Sequence, residues 1–220
     1  MRVFGLFGIS CLAIGFSSSA QATTYTTTDF FGGDLILVDG DVLSGNLYNI
    51  GLFEIPLGAT VTIDPGVILE VEASTINILG TLDGTAAGYL GGAAGDPAIL
   101  GQATDGSVGS GPGGGGGGSA GPCVHGGGGA GGSYGGLGGM GGTFNGVQAM
   151  PNPGPVYGTD GGPDYDLGSG GGGGGSGCDF IAGVGGDGGG SASLTAVVEI
   201  TVDGEIVVSG TDGTQGGLYA

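Results

Sequence analysis

The chain is predicted to be all-β, a short β-solenoid interrupted by a long glycine-rich insert. Three observations carry that expectation. Short apolar runs with period-2 alternation recur about every 9 to 12 residues. No window of comparable length has the spacing of an amphipathic helix. A similar run of sequence also stands on each side of the glycine-rich block.

The strands follow in order. Leu35-Ile36-Leu37-Val38, Leu47-Tyr48-Asn49-Ile50 and Ala59-Thr60-Val61-Thr62-Ile63 are each bounded by Gly, Asp or Pro. Val67-Ile68-Leu69-Glu70-Val71 and Thr75-Ile76-Asn77-Ile78-Leu79 come next, with Leu82 after Gly80. Val61 and Ile63, then Val67, Leu69 and Val71, share one face, while Thr62, Ile68 and Glu70 take the other. Asp64-Pro65-Gly66 and Val38-Asp39-Gly40-Asp41 supply turn chemistry between the runs.

Ile76 to Thr85 is echoed by Val202 to Thr214, and both runs reach Asp-Gly-Thr before turning into glycine. Such an echo predicts one structural unit on either side of the insert, stacked as neighbours while the glycine-rich block loops out. Solenoids usually need three or more repeats, so a β-sandwich is the alternative. The expected organisation is a signal peptide at 1–22, solenoid coils at 23–92, the glycine-rich insert at 93–192 and returning strands at 193–220.

The run from Ile55 to Val71, followed by Ile76 to Gly84, resembles the opening coils of bacterial glycine-rich surface proteins of the pectin-lyase-like, right-handed β-helix type. The resemblance covers about residues 45 to 92 and 190 to 217. It implies a right-handed parallel β-helix interrupted by glycine tracts, and a role as an adhesin or surface fibre. It carries over no catalytic residue.

The N-terminus reads as a secretory signal: Arg2, an apolar stretch from Val3 to Phe16, then Ala20-Gln21-Ala22 as an A-x-A cleavage site. The stretch is shorter than the roughly 20 residues of a spanning helix, so no membrane insertion of the mature chain is expected. Cleavage after Ala22 removes Arg2, the only basic residue, and leaves 20 Asp and Glu with no Lys or Arg. Nucleic acid and anionic membranes are thereby excluded as expected partners. Export places the chain outside the cytoplasm, where cysteines oxidise and calcium is plentiful.

The block from Gly84 to Gly190 holds most of the 63 glycines without a proline-rich G-X-Y pattern, which excludes collagen. Glycine is phased in triplets at 126, 129, 132, 135, 138 and 141, and again at 168, 171, 174 and 177. Three residues per turn is the period of polyproline II, so bundled polyglycine-II helices with glycine facing inward are one reading. A flexible linker is the other, because phasing arises easily in so glycine-rich a stretch. Cys123 lies one triplet before the first run and Cys178 directly follows the second, so an antiparallel hairpin would bring them together as a disulfide. Free thiols or pairing with another chain are the alternatives.

No catalytic residue is assigned. His125 is the only histidine and has no evident partner, and a Cys123/His125/Cys178 zinc site lacks a convincing fourth ligand. Glu70 and Glu72 fall on one strand face, where solvation explains them. Calcium has two candidate places: Asp160, Asp164 and Asp166 sit in a turn-rich loop, and Gly91 to Asp96 is a near miss of a calcium-binding nonapeptide. Acidic turns facing water are the competing reading, and no cofactor is expected. The function expected is a secreted or cell-surface structural or adhesive protein, non-enzymatic, able to self-associate into fibres. The alternative is a module binding a surface polysaccharide or ice.

Overall fold

The computed structural model describes residues 21–97, 103–121, 126–134, 136–143, 150–158, 166–177 and 180–218. Twelve strands occur among them and no helix: β1 Thr24–Tyr25, β2 Thr28–Asp29, β3 Leu35–Ile36, β4 Val42–Leu43, β5 Asn46–Ile55, β6 Thr60–Ile63, β7 Ile68–Ile78, β8 Thr81–Asp83, β9 Phe180–Ile181, β10 Ser191–Val202, β11 Glu205–Val207 and β12 Gly217–Leu218. The protein is all-β, and its two main sheets are parallel. One sheet runs β1-β4-β6-β8-β11, and the other runs β10-β7-β5-β2 with β3 also on β5. From β4 to β8 the chain alternates between them, so each strand lies beside the strand two elements earlier. β9 and β12 form a separate antiparallel pair.

Register explains the core. Leu47, Val71 and Leu194 align across β5, β7 and β10, as do Ile50, Ala73 and Ala196, then Phe53, Ile76 and Ile200, and then Ile55, Ile78 and Val202. In the other sheet Leu43 lies beside Ile63, and Val61, Leu82 and Ile206 form a row. These rows face each other as one apolar core, and the β5, β7 and β8 members are buried. Burial of such side chains contributes about 1.5–3 kcal/mol each.

The sequence predicts two strands over 67–79, but β7 is continuous. Its buried phase moves from Val71 and Ala73 to Ile76 and Ile78; β10 carries one extra residue opposite Ser74, and β5 one opposite Glu72. The bend is thus absorbed without interrupting the strand. β5 likewise continues past Asn49, which takes a φ of 55° at its bulge. Gly51 lies inside β5 because a Cβ there would meet the Gly32 carbonyl oxygen at 2.6 Å. β1, β2 and β4, each two residues long, have no counterpart among the runs that the sequence predicts as strands.

The echoing runs are neighbours. β11 pairs with β8 as Thr81 with Glu205, Leu82 with Ile206 and Asp83 with Val207, and β10 pairs with β7 along its length. The glycine-rich region therefore leaves after β8 and returns at β10.

Its described residues are ordered by hydrogen bonds that repeat every third residue. Segment 168–176 lies at the centre of five others. Gly168, Gly171 and Gly174 donate to the carbonyls of Gly189, Gly186 and Gly183. Gly170, Gly173 and Ser176 donate to Ser110, Ser107 and Thr104, and Gly172 and Gly175 to Ala130 and Gly127. In return Tyr89, Gly92 and Gly95 donate to the carbonyls of Gly168, Gly171 and Gly174, while Gly115, Gly118 and Gly121 donate to Gly170, Gly173 and Ser176. The segment thus has neighbours 89–95, 104–110, 115–121, 127–130 and 183–189. Backbones approach too closely for side chains: a Cβ on Gly172 or Gly173 would overlap the Gly116 or Ala93 carbonyl oxygen. Hydrogen bonds at about 1 kcal/mol net, with Cα–H···O contacts between them, stand in for an apolar core here.

Candidate functional site

The sequence-derived sites fare unevenly. Cys123, Cys178 and His125 lie outside the described residues, as do Asp160 and Asp164. Asp166 is described and exposed. No group of three metal-ligating side chains occurs among the described residues. Segments 127–130 and 170–175 run antiparallel, as the hairpin reading expects. Asp96, from the nonapeptide near miss, sits at a closure of the glycine-rich region: its N–H donates to Thr104 Oγ1 at 2.7 Å, and its carbonyl accepts from the Ser176 hydroxyl.

Three places have unusual chemistry. The first is a buried carboxylate. Asp41, fully buried, accepts from the N–H of Thr23 and of Val38, both at 2.8 Å. Nearby Tyr25 has its phenol pKa raised, chiefly by burial and further by the Asp41 charge.

The second is the end formed by β10 and β11. Each is the last strand of its sheet, so one row of backbone groups is unpaired by any strand. Ile200, Val202 and Ile206 continue the core rows over Ile76, Ile78 and Leu82, yet all three are exposed where their partners are fully buried. Val197 and Val198, which together oppose Ser74 at the bulge of β10, are 87% and 72% exposed, and Val208 extends the patch.

The third is a groove of about 1300 Å³ beside segment 168–176. Residues 126–134 form one wall, residues 180–190 with 210–214 the other, and the central segment the floor. A Cβ on Gly171 or Gly174 would have 3.5 Å of clearance, in contrast to the crowded positions between them. At one end the Tyr157 hydroxyl donates to the Leu167 carbonyl and accepts from Ser169 at 2.8 Å, with Tyr134 packed edge-on at 5.2 Å. Burial raises the Tyr157 pKa, favouring the protonated donor.

Neither the open end nor the groove was found from sequence. The apolar residues of β10 read as ordinary strand residues, and a gap among hydrogen-bonded segments leaves no trace in composition. Comparison of the chain with protein-family models, with curated proteins and with solved structures gave no match. No helix among the described residues is long and apolar enough to cross a membrane.

Proposed function

We propose that the protein is an exported, non-catalytic structural or adhesive component of the cell surface or extracellular matrix, a short β-solenoid carrying a polyglycine-II sheaf, which associates end on through β10 and β11. The observation that carries this reading is the end of the core rows that no described strand covers, where Ile200, Val202, Ile206 and Val208 are exposed beside unpaired strand edges. A second copy placed there would bury the apolar row and pair the edges. If the contact is made with the opposite end, β1 to β3, it is heterologous and propagates into fibres. The high acidic charge opposes association, so screening by salt or divalent cations should promote it.

The export reading draws support from Asp41. Cleavage after Ala22 would turn the Thr23 nitrogen into an ammonium 2.8 Å from a buried carboxylate, in a mature chain with no Lys or Arg to pair it.

Sedimentation of the chain beginning at Thr23 tests the assembly. Concentration-dependent oligomers, stronger in 0.5 M than in 0.05 M salt, are expected. Val202→Lys with Ile206→Lys should reduce association at least tenfold without loss of folding, since both sites are part-exposed. A monomer at every concentration and salt, or undiminished association of the double variant, would refute the proposal.

A further inference from the structure

We infer that the groove beside segment 168–176 binds an extended Gly-Gly-X strand of another polypeptide, in the polyproline-II conformation, as the sixth neighbour of that segment. The site is defined by backbone groups left without partners. Of the three carbonyl phases on the central segment, two accept N–H groups from segments 89–95 and 115–121. The third, Ser169, Gly172 and Gly175, accepts none. Because the peptide unit is planar and trans, each of these carbonyls points opposite to the N–H of the next residue. Those N–H groups, on Gly170, Gly173 and Ser176, point at segment 104–110. The free carbonyls therefore point out on the side with no neighbour among the described residues.

The walls complete the pattern. Gly129 and Gly132 on one side, and Gly183, Gly186 and Gly189 on the other, all line the groove, and their N–H groups have no partner. Acceptors on the floor and donors on both walls thus recur every third residue. A polyproline-II strand advances about 9 Å per triplet and repeats its groups with that period. It would present one N–H per triplet to the floor and one carbonyl to each wall. Its remaining N–H groups would face solvent, so one position per triplet tolerates any residue, proline included. Glycine is required where the strand meets the glycine walls. Asp187 and Asp212 also line the groove, which disfavours an acidic strand.

The probe is the neutral peptide acetyl-(Gly-Gly-Pro)4-amide, titrated into the full chain and followed by amide NMR. Saturable shifts confined to Gly129, Gly132, Gly183, Gly186 and Gly189 are expected, with slowed hydrogen exchange at those amides. Acetyl-(Pro)12-amide has the same helix but no N–H for the floor, and should bind at least tenfold more weakly. Gly171→Leu should fill the groove and weaken binding at least tenfold, with the thermal unfolding midpoint unchanged. Should that variant fail to fold, the amide map of the unaltered chain still decides. Absence of binding at millimolar peptide, equal binding of (Pro)12, or shifts elsewhere would overturn the inference. So would a linear oligosaccharide, or a second copy of this chain, occupying these amides when the peptide does not.

Discussion

Gly173→Ala is expected to dismantle the glycine-rich region, whereas Gly171→Ala, two residues away, should leave it standing. At Gly173 a methyl would overlap the Ala93 carbonyl oxygen. That oxygen is held from the other side, since it accepts from Ser107 N–H at 2.9 Å. Nothing nearby is a flexible side chain, so relief must come from parting whole segments and their triplet hydrogen bonds. The cost should be about 3 kcal/mol or more, at the upper end for overpacking. At Gly171 the added methyl faces the groove with 3.5 Å of clearance. The φ there is not in the left-handed region, so alanine should change stability by no more than about 0.5 kcal/mol. Thermal unfolding of the two variants, side by side with the parent, checks the difference.

The second large effect is expected at Asp41. Asp41→Ala removes the acceptor of two backbone N–H groups, those of Thr23 and Val38, and should cost about 3 kcal/mol. In the chain beginning at Thr23 the loss should be greater, because an ammonium loses its buried counter-charge. The α-amino group of that chain should titrate above its usual value of about 7.7–8.0. A raised pKa in the folded state means the stabilisation is complete below the unfolded value and is lost as pH rises through the folded one. Denaturant unfolding between pH 6 and pH 10 should therefore show stability falling with pH in the mature chain, and a flatter profile in Asp41→Ala. Equal profiles would remove this support for cleavage at Ala22.

The strands were legible because β-sheet burial writes a period of 2 into the side chains. Val61, Ile63, Leu69 and Val71 all lie inward as their alternation requires. The echo between 76–85 and 202–214 was legible for the same reason, since paired parallel strands face the same core. The phase shift in β7 was not, because its match is the extra residue of β10, far away in sequence. In the glycine-rich region the triplets at 126, 129 and 132 do face the central segment, where a Cβ would overlap the carbonyls of Gly175, Gly172 and Ser169. The triplet at 168, 171 and 174 was expected to face inward for the same reason. At Gly171 and Gly174 it instead marks the roomier face beside the groove, while the crowded residues are Gly170, Gly172, Gly173 and Gly175. A segment surrounded on five sides needs glycine in nearly every phase, so the run Gly170 to Gly175 shows no period at all. Its central place follows only from its neighbours.

Amide hydrogen exchange of the folded chain, resolved by residue, tests the hydrogen-bonded sheaf most directly. The amides of Gly170 to Gly175, all donating within the sheaf, should exchange orders of magnitude more slowly than an unstructured peptide, while Gly129, Gly132, Gly183 and Gly186 should exchange fast. Uniform exchange at the unstructured rate from Gly88 to Gly190 would mean that the region is a flexible linker and would contradict the sheaf, the groove and its ligand together.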